Sequence, residues 1–369
     1  MSAKYKAAII GHTGQGNYGH GLDVVYVDMP DVEVVAVADP DPRGLAAASE
    51  RLGGVKKYAD YREMLATEAL DLVNVCPRVV TPHAEMVIAA AESGAMGVFC
   101  EKPIAGSLAE ADAMLAVCEQ HNVKVAVAHR RANPYEQHGK KLVEAGEIGT
   151  LQVLRGRGKW DHRAGAEDLA VLGPHMMDSM RYFAGADVAW AHAHIMQDGC
   201  EITIDNVRDG NEGIGPIAGN SLAAYYVFTN GISAHFESQP GDTAAKVNSR
   251  WFGFEAHGTE GVISLRNSPN GEMYIHRHGM YIPDGQVQWE RVLREPRSVR
   301  FVSGDWAELR PLLDGPAAEV RGCVGLGLGL GLGLLGLGLG LGWGWLGLGL
   351  LDGPAAERRE ARTLTLALT

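Results

Sequence analysis

Two short stretches carry side chains of the types that hold and move protons. Gly97-Val98-Phe99-Cys100-Glu101-Lys102-Pro103 is an apolar run that stops at an acid, a base and a proline. Gly173-Pro174-His175-Met176-Met177-Asp178 sets an imidazole beside a proline suited to a first helical turn, with Met176, Met177, Met180 and Phe183 supplying a buried face. A partly desolvated lysine can hydrogen-bond a reacting oxygen, and a histidine near a helix N-terminus is disfavoured as a cation, which leaves it able to accept a proton. The plainer reading of Lys102 is a lysine exposed in a surface loop.

What distinguishes the two readings of Lys102 is the set of elements around it. Residues 6–10 form a short apolar strand ending at Gly11, and His12-Thr13-Gly14-Gln15-Gly16-Asn17-Tyr18-Gly19 follows at once. Strand, glycine-rich turn and helix are expected here, because glycines let the backbone approach a pyrophosphate that then sits at the positive end of the next helix. Gly14-x-Gly16-x-x-Gly19 has the dinucleotide spacing, although it starts later than the tight version, and alone it fits an ordinary glycine-rich loop equally well. The candidate contacts are Gly11, Gly14, Gly16, Asn17 and Tyr18. A second β-branched run, residues 32–38, ends in Asp39, about twenty residues on, where an acid accepts from ribose hydroxyls and repels a 2′-phosphate. Asp39 therefore favours NAD. Arg43 keeps NADP open as the phosphate's counter-ion, and Asp39-Pro40-Asp41-Pro42 also reads simply as a turn.

Alternation continues through a helical stretch at 45–52, Asp60 as N-cap for 61–66, and a strand at 72–76 closed by Pro77. Thr81-Pro82 reads as an N-cap and first-turn proline for an alanine-rich helix to 93. Ser107-x-x-Glu110 is a capping box for a helix to 121, and residues 123–128 form a further strand. Strands alternating with helices imply a parallel, doubly wound sheet. Lys102 then lies just past the carboxyl end of a parallel strand, the edge where such sheets bind ligands, and Pro103 holds it extended.

After 129 the pattern changes. Residues 134–144 read as a helix and 151–158 as a strand, followed by Trp160-Asp161-His162-Arg163. With Arg131 these four are candidate substrate contacts, polar groups beside an aromatic platform, or else solvated surface. Runs at 222–228 and 232–237 flank Thr229-Asn230-Gly231, and runs at 251–257 and 261–266 flank Gly258-Thr259-Glu260, so an antiparallel sheet is expected. His192 and His194 alternate on a strand without an acid or cysteine companion, so no metal site is assigned.

A length of 369 residues implies two domains, and 33 basic against 45 acidic residues give a net charge of -12, which speaks against nucleic acid or an anionic membrane as partner. Five scattered cysteines offer no disulfide framework or zinc motif and suit a reducing cytoplasm. The N-terminal apolar run is too short for a signal-peptide core. Residues 325–351 contain only Gly, Leu and Trp, and Leu-Leu-Asp-Gly-Pro-Ala-Ala-Glu occurs at both 312–319 and 350–357. Near-perfect Gly–Leu alternation gives a helix no coherent stripe, so an artefactual or disordered low-complexity tail is expected ahead of a membrane anchor.

Glu101-Lys102-Pro103, Asp39, Pro77 with His83, the Ile148-Gly149 turn, the 173–178 segment and Gly258-Thr259-Glu260-Gly261 together resemble the Gfo/Idh/MocA family of NAD(P)-dependent oxidoreductases. The resemblance implies a Rossmann domain over 1–129 and an α+β domain over 130–322, whose open, mostly antiparallel sheet makes a homo-oligomer interface, with 323–369 as the tail. It implies NAD, or NADP, held with help from Pro77, His83 and Glu101, and a sugar or polyol substrate. Lys102 and His175 would face nicotinamide and substrate, and hydride would pass between them reversibly. The family pattern carries an aspartate four residues before the histidine, where this chain has Val171. Asp168 is the first choice to replace it, and Asp178 joins the expected substrate contacts. An NAD-dependent glycosidase or lyase, and a non-catalytic NAD(P)-binding sensor, are the alternatives.

Overall fold

The computed structural model describes residues 4–27, 29–130, 133–241, 252–266, 272–279 and 287–292. Arg131 and the tail at 323–369 lie outside the described residues. β1 (Tyr5–Ile10), β2 (Val32–Ala38), β3 (Lys56–Tyr58), β4 (Leu72–Val75), β5 (Gly97–Cys100) and β6 (Lys124–Val127) form a 6-stranded parallel sheet in the order β3-β2-β1-β4-β5-β6. Ala7, Ala8, Ile9 and Ile10 of central β1 are fully buried, as a strand covered on both faces must be. The order reverses between β1 and β4, and the crevice outside their carboxyl ends is the ligand edge.

The helices start where polar caps allow. Asp41 accepts from the N–H groups of Arg43 and Gly44 at the head of α1 (Pro42–Arg51), and Asp60 accepts from Arg62 N at α2 (Tyr61–Thr67). Ser107 Oγ accepts from Glu110 N at 3.2 Å to open α4 (Leu108–Gln120). Two expectations need correction. α3 (His83–Glu92) begins after Pro82, and Thr81 gives it no side-chain cap. No α-helix follows the glycine loop, only a 3₁₀ turn at Leu22–Val24. Asn17, Gly19 and Gly21 all sit at positive φ, so the chain curls on itself where helix propagation needs right-handed backbone. The loop can therefore offer a ligand its own N–H groups and close approach, but no helix dipole.

The second sheet is 9-stranded. β7 (Leu151–Arg157), β8 (Val188–Gln197), β9 (Cys200–Glu201), β12 (Ser221–Phe228), β13 (Ser233–Ser238), β14 (Gly253–Gly258), β15 (Val262–Arg266), β16 (Glu272–His276) and β17 (Glu290–Val292) run in the order β17-β16-β15-β14-β7-β13-β12-β8-β9. Every pairing is antiparallel except β7 with β13. β10 (Arg208–Asp209) and β11 (Pro216–Ile217) make a separate small hairpin. α5 (Pro134–Glu144), α6 (Ala166–Val171) and α7 (Gly173–Ala184) complete the domain. Met176, Met180 and Phe183 of α7 pack on Leu154, Phe236 and Phe254, with the Phe183 and Phe254 rings 4.8 Å apart. This apolar face fixes α7, and with it the direction in which His175 points.

One side chain fastens the ligand edge of the first sheet. His83 is fully buried, with Nδ1 2.8 Å from Pro103 O and Nε2 2.7 Å from Pro77 O. The loop after β4 is thereby tied to the loop that carries Lys102. Both ring nitrogens are spent on backbone carbonyls, so the expected direct cofactor contact from His83 is corrected to a fastening role. Burial pushes its pKa down, even though two carbonyl partners favour the cation. A neutral imidazole carries one N–H, so replacing His83 by Ala leaves one of the two buried carbonyls without its donor. A loss of roughly 1–3 kcal/mol in urea denaturation is expected, and an unchanged midpoint would contradict the fastening role.

Candidate active site

Lys102 lies two residues past the end of β5 and is 2% exposed. Its Nζ donates to Val171 O at 3.1 Å, so an ammonium from the first domain is received by α6 of the second. The position where the family pattern has a carboxylate thus contributes its backbone carbonyl. Lys102 N donates to Glu101 Oε1 at 3.0 Å, and the Glu101 carboxylate lies so close to Gly19 that a Cβ there would strike it and Cys76 O. Burial pushes the Lys102 pKa down, with Glu101 and Glu212 opposing and Arg163 and Arg78 adding to the fall. Burial pushes Glu101 up, with Lys102 opposing.

His175 occupies the first turn of α7, half-buried, and its Nδ1 is buried without a hydrogen-bond partner. Its ring meets that of His129 edge-on at 5.9 Å. Burial, then Lys102 and His129, hold its pKa well below the ordinary value, so the ring is neutral at pH 7. His20 is pushed the same way by burial, Lys102 and Arg78.

The glycine loop closes the other side of this group. Gly16 at φ 88 lies against the Arg78 backbone, where a Cβ would come within 2.6 Å of Arg78 N, and Val79 N donates to Gln15 O at 3.2 Å. The Cβ direction of Gly14 opens onto free space, and Gly11 lies beneath the Tyr18 ring. Asn17 holds the turn at φ 56, with its N–H on His12 O. Pro77 is buried, and Arg43 is exposed at the first turn of α1. The Asp39 carboxylate is 1% exposed and accepts from Thr13 N at 3.1 and 3.0 Å, Thr13 Oγ1 at 2.7 Å and Asp41 N at 2.9 Å. About four acceptor positions are thereby filled, so Asp39 anchors the loop to β2, and a ribose hydroxyl has to compete with Thr13. Backbone approach at Gly14 and Gly16, at the β1/β4 crossover, fits a dinucleotide.

On the substrate side, Trp160 sits at φ 53 with Nε1 buried and without a partner. Arg163 chelates Asp161 through Nε at 3.1 Å and Nη2 at 2.6 Å, while His162 is exposed. One expectation is corrected. Asp168 is not brought to His175: fully buried, it accepts from Ser238 Oγ at 2.6 Å and Lys159 N at 2.8 Å, joining α6 to the ends of β13 and β7. Asp178 is buried on α7 near Glu136, itself bound by Arg130 at 3.0 Å and Ser179 at 2.8 Å. Four residues of the site escaped the sequence reading: His20, Arg78, Lys159 and Glu212. The first three each adjoin a recognised motif, and that adjacency was the available signal. Glu212 had none.

Residues 5–129 match the family model described as an oxidoreductase family with NAD-binding Rossmann fold, Gfo/Idh/MocA. Levoglucosan dehydrogenase of Pseudarthrobacter phenanthrenivorans is 27% identical over 72% of this chain and 75% of its own length. The first domain is a Gfo/Idh/MocA NAD-binding Rossmann domain. Myo-inositol 2-dehydrogenase of Thermotoga maritima, another similar protein, is 34% identical over 40% of this chain, which is 43% of that enzyme. The solved structure of levoglucosan dehydrogenase with NADH and levoglucosan superposes with a TM-score of 0.67 at 20% identity, covering 88% of this chain and 95% of that one. The two-domain fold is that of these Gfo/Idh/MocA enzymes.

Burial raises Asp168 from 3.8 to about 6, against the pull of Ser238. A carboxyl whose folded pKa is above its unfolded value binds its proton more tightly when folded. Its stabilising contribution is full below the unfolded pKa and lost as pH rises through about 6. Relative to Asp168→Asn, the wild type should lose on the order of 2–3 kcal/mol as pH rises from 3.8 to about 6. Urea denaturation of both proteins across that range checks this, and a pH-independent difference would contradict it.

Proposed function

We propose that this chain transfers hydride between a nicotinamide dinucleotide and a carbinol or carbonyl carbon of a sugar or polyol. The observation that carries the reading is a set of buried polar atoms without partners around Lys102 and along the 158–168 segment. Arg78 Nε and Trp160 Nε1 are donors; Glu101 Oε2, Asp168 Oδ1 and Glu212 Oε2 are acceptors. Each such atom costs roughly 1–3 kcal/mol until something completes it. Hydroxyls donate and accept at one oxygen, so a polyhydroxylated ligand suits this mixture better than an anion or an apolar molecule. Levoglucosan dehydrogenase and myo-inositol 2-dehydrogenase are named for substrates of that kind.

The nicotinamide, when bound, accepts or returns the hydride. The chain does the rest. Lys102, with one of its three N–H groups on Val171 O, holds the reacting oxygen with another. His175 Nδ1, neutral and unpartnered, takes the hydroxyl proton as hydride leaves and returns it in the reverse direction. Trp160 and the Arg163–Asp161 pair border the substrate. The α6 carbonyl above Lys102 helps exclude water.

We place the chain in a reducing compartment, the cytoplasm, on the free Cys76, Cys100, Cys118 and Cys200, and among the described residues no helix is long and apolar enough to cross a membrane. Homo-oligomerisation through the second sheet is supported by Trp190 at 46% exposure, in line with Tyr225 and His235 on adjacent strands. The test of function is a panel of sugars and polyols offered with NAD or NADP, read by reduced-nicotinamide absorbance. Net reduction of dinucleotide is expected, and product formed without it would indicate a glycosidase or lyase cycle instead. His175→Ala should lower kcat/KM roughly 10²- to 10⁴-fold. Because its pKa lies below the ordinary 6.5, the acid limb of the wild-type profile should fall below pH 6.5 and vanish in the variant. An acid limb kept by the variant would remove His175 from the proton path.

A further inference from the structure

We propose that Glu212 is the substrate-reading carboxylate of this site, accepting a hydrogen bond from the hydroxyl next to the reacting one, so that the site selects vicinal diols. The inference rests on the reading of Lys102 as the centre of a hydride-transfer site. It starts from a vacancy in the chemistry: position 171 has no carboxylate, and the neighbouring acids are already engaged. Asp168 is held by Ser238 and Lys159, Glu167 is held by Arg208 at 2.6 Å and by Asn211, and Asp178 is buried beside Glu136. Asp168 keeps one oxygen without a partner but has the other held, whereas the Glu212 side chain makes no hydrogen bond among the described residues. Its Oε2 is buried and has no partner.

The turn that carries it is clamped in place. Asn211–Gly213 is a 3₁₀ turn between β10 and β11, and Glu212 O accepts from Val80 N at 2.9 Å. Gly213 leaves no room for a Cβ, which would meet Thr81 Oγ1 at 2.7 Å and Val79 Cγ1 at 2.8 Å. Val79 is itself bonded to the glycine loop through Gln15. A turn of the second domain is thus bound to the loop after β4, on the ligand edge of the first. Glu212 holds φ 57 and ψ 22, left-handed backbone that glycine adopts freely and glutamate does not. Such conformations persist where surrounding structure enforces them, and they gather at sites of function.

The charged groups facing Glu212 come from several elements: Lys102 and Glu101 from the loop after β5, His20 from beyond the glycine loop, and Arg163 from the approach to α6. Glu212 favours the charged form of Lys102 yet makes no hydrogen bond to it among the described residues. A hydroxyl between them completes both. Its oxygen accepts the third N–H of Lys102, and its proton is donated to Glu212 Oε2. The second N–H of Lys102 holds the reacting oxygen, so the two hydroxyls lie on adjacent carbons. Glu212 binds here and receives no proton.

The test compares a vicinal-diol polyol with its analogue lacking the neighbouring hydroxyl, in the full-length wild type, Glu212→Gln and Glu212→Gly. On the diol, both variants should lose about ten- to a hundredfold in kcat/KM, chiefly through KM. On the deoxy analogue the wild type should already show that loss, and the variants should lose little more. Glu212→Gly removes the backbone strain, so its Tm should equal or exceed that of the wild type, and NADH affinity by fluorescence titration should be unchanged in both. Equal losses on both substrates, or a changed NADH affinity, would overturn the assignment and make Glu212 a structural or cofactor residue. A wild type that reduces dinucleotide with no sugar or polyol would remove the underlying function itself, whereas wild-type turnover with fully active variants would remove only this inference.

Discussion

An ammonium buried between two domains is the constraint to which the rest of the site answers. Lys102 leaves β5 at the carboxyl edge of a parallel sheet and ends 3.1 Å from a backbone carbonyl of the second domain. Taking a charge out of water costs several kcal/mol after relaxation, and one neutral carbonyl does not return that. The offset comes from the adjoining carboxylates, Glu101 and Glu212, which favour the charged form while burial opposes it. An ammonium held in that balance responds strongly to any oxygen placed beside it, because low local dielectric magnifies the interaction.

The neighbours of Lys102 are chiefly devices for keeping it there. His83 ties its loop to the one after β4, the Glu101 carboxylate fits only because Gly19 has no side chain, and Gly16 allows the Arg78 backbone to close on the glycine loop. Asp39 secures that loop to β2 through Thr13. On the other side, the apolar face of α7 against the second sheet sets His175 next to the same ammonium, which helps keep the imidazole neutral. A base that is neutral because a cation sits beside it is a consequence of position, and both positions follow from packing.

Much of this was legible in the sequence, and the limits have physical causes. Alternating runs gave the parallel sheet, and Asp60, Ser107 and Pro174 marked helix starts, because caps and first-turn prolines act within a few residues. The location of Lys102 followed from the same local rules. Long-range partners left no such trace. Asp168 was expected at His175, but Ser238, seventy positions on, claims its carboxylate. His83 looked like a cofactor contact, while its partners are carbonyls, which no side-chain pattern reveals. The glycine spacing predicts a helix after the loop, since spacing records where glycines are and not the sign of φ. Glu212 reaches the site through a short irregular turn held by backbone contacts, so neither periodicity nor motif spacing could single it out.

The most direct test of Lys102 as the reacting group's partner is single-turnover hydride transfer in Lys102→Met, pre-loaded with dinucleotide, with denaturation of the same samples. Methionine keeps much of the volume and removes the buried charge, so folding stability should be equal or greater, by up to about 4 kcal/mol. Hydride transfer should fall by roughly 10² or more. Transfer at the wild-type rate, or a loss of several kcal/mol in stability with transfer otherwise intact, would show that Lys102 holds the domains together and takes no part in the chemistry.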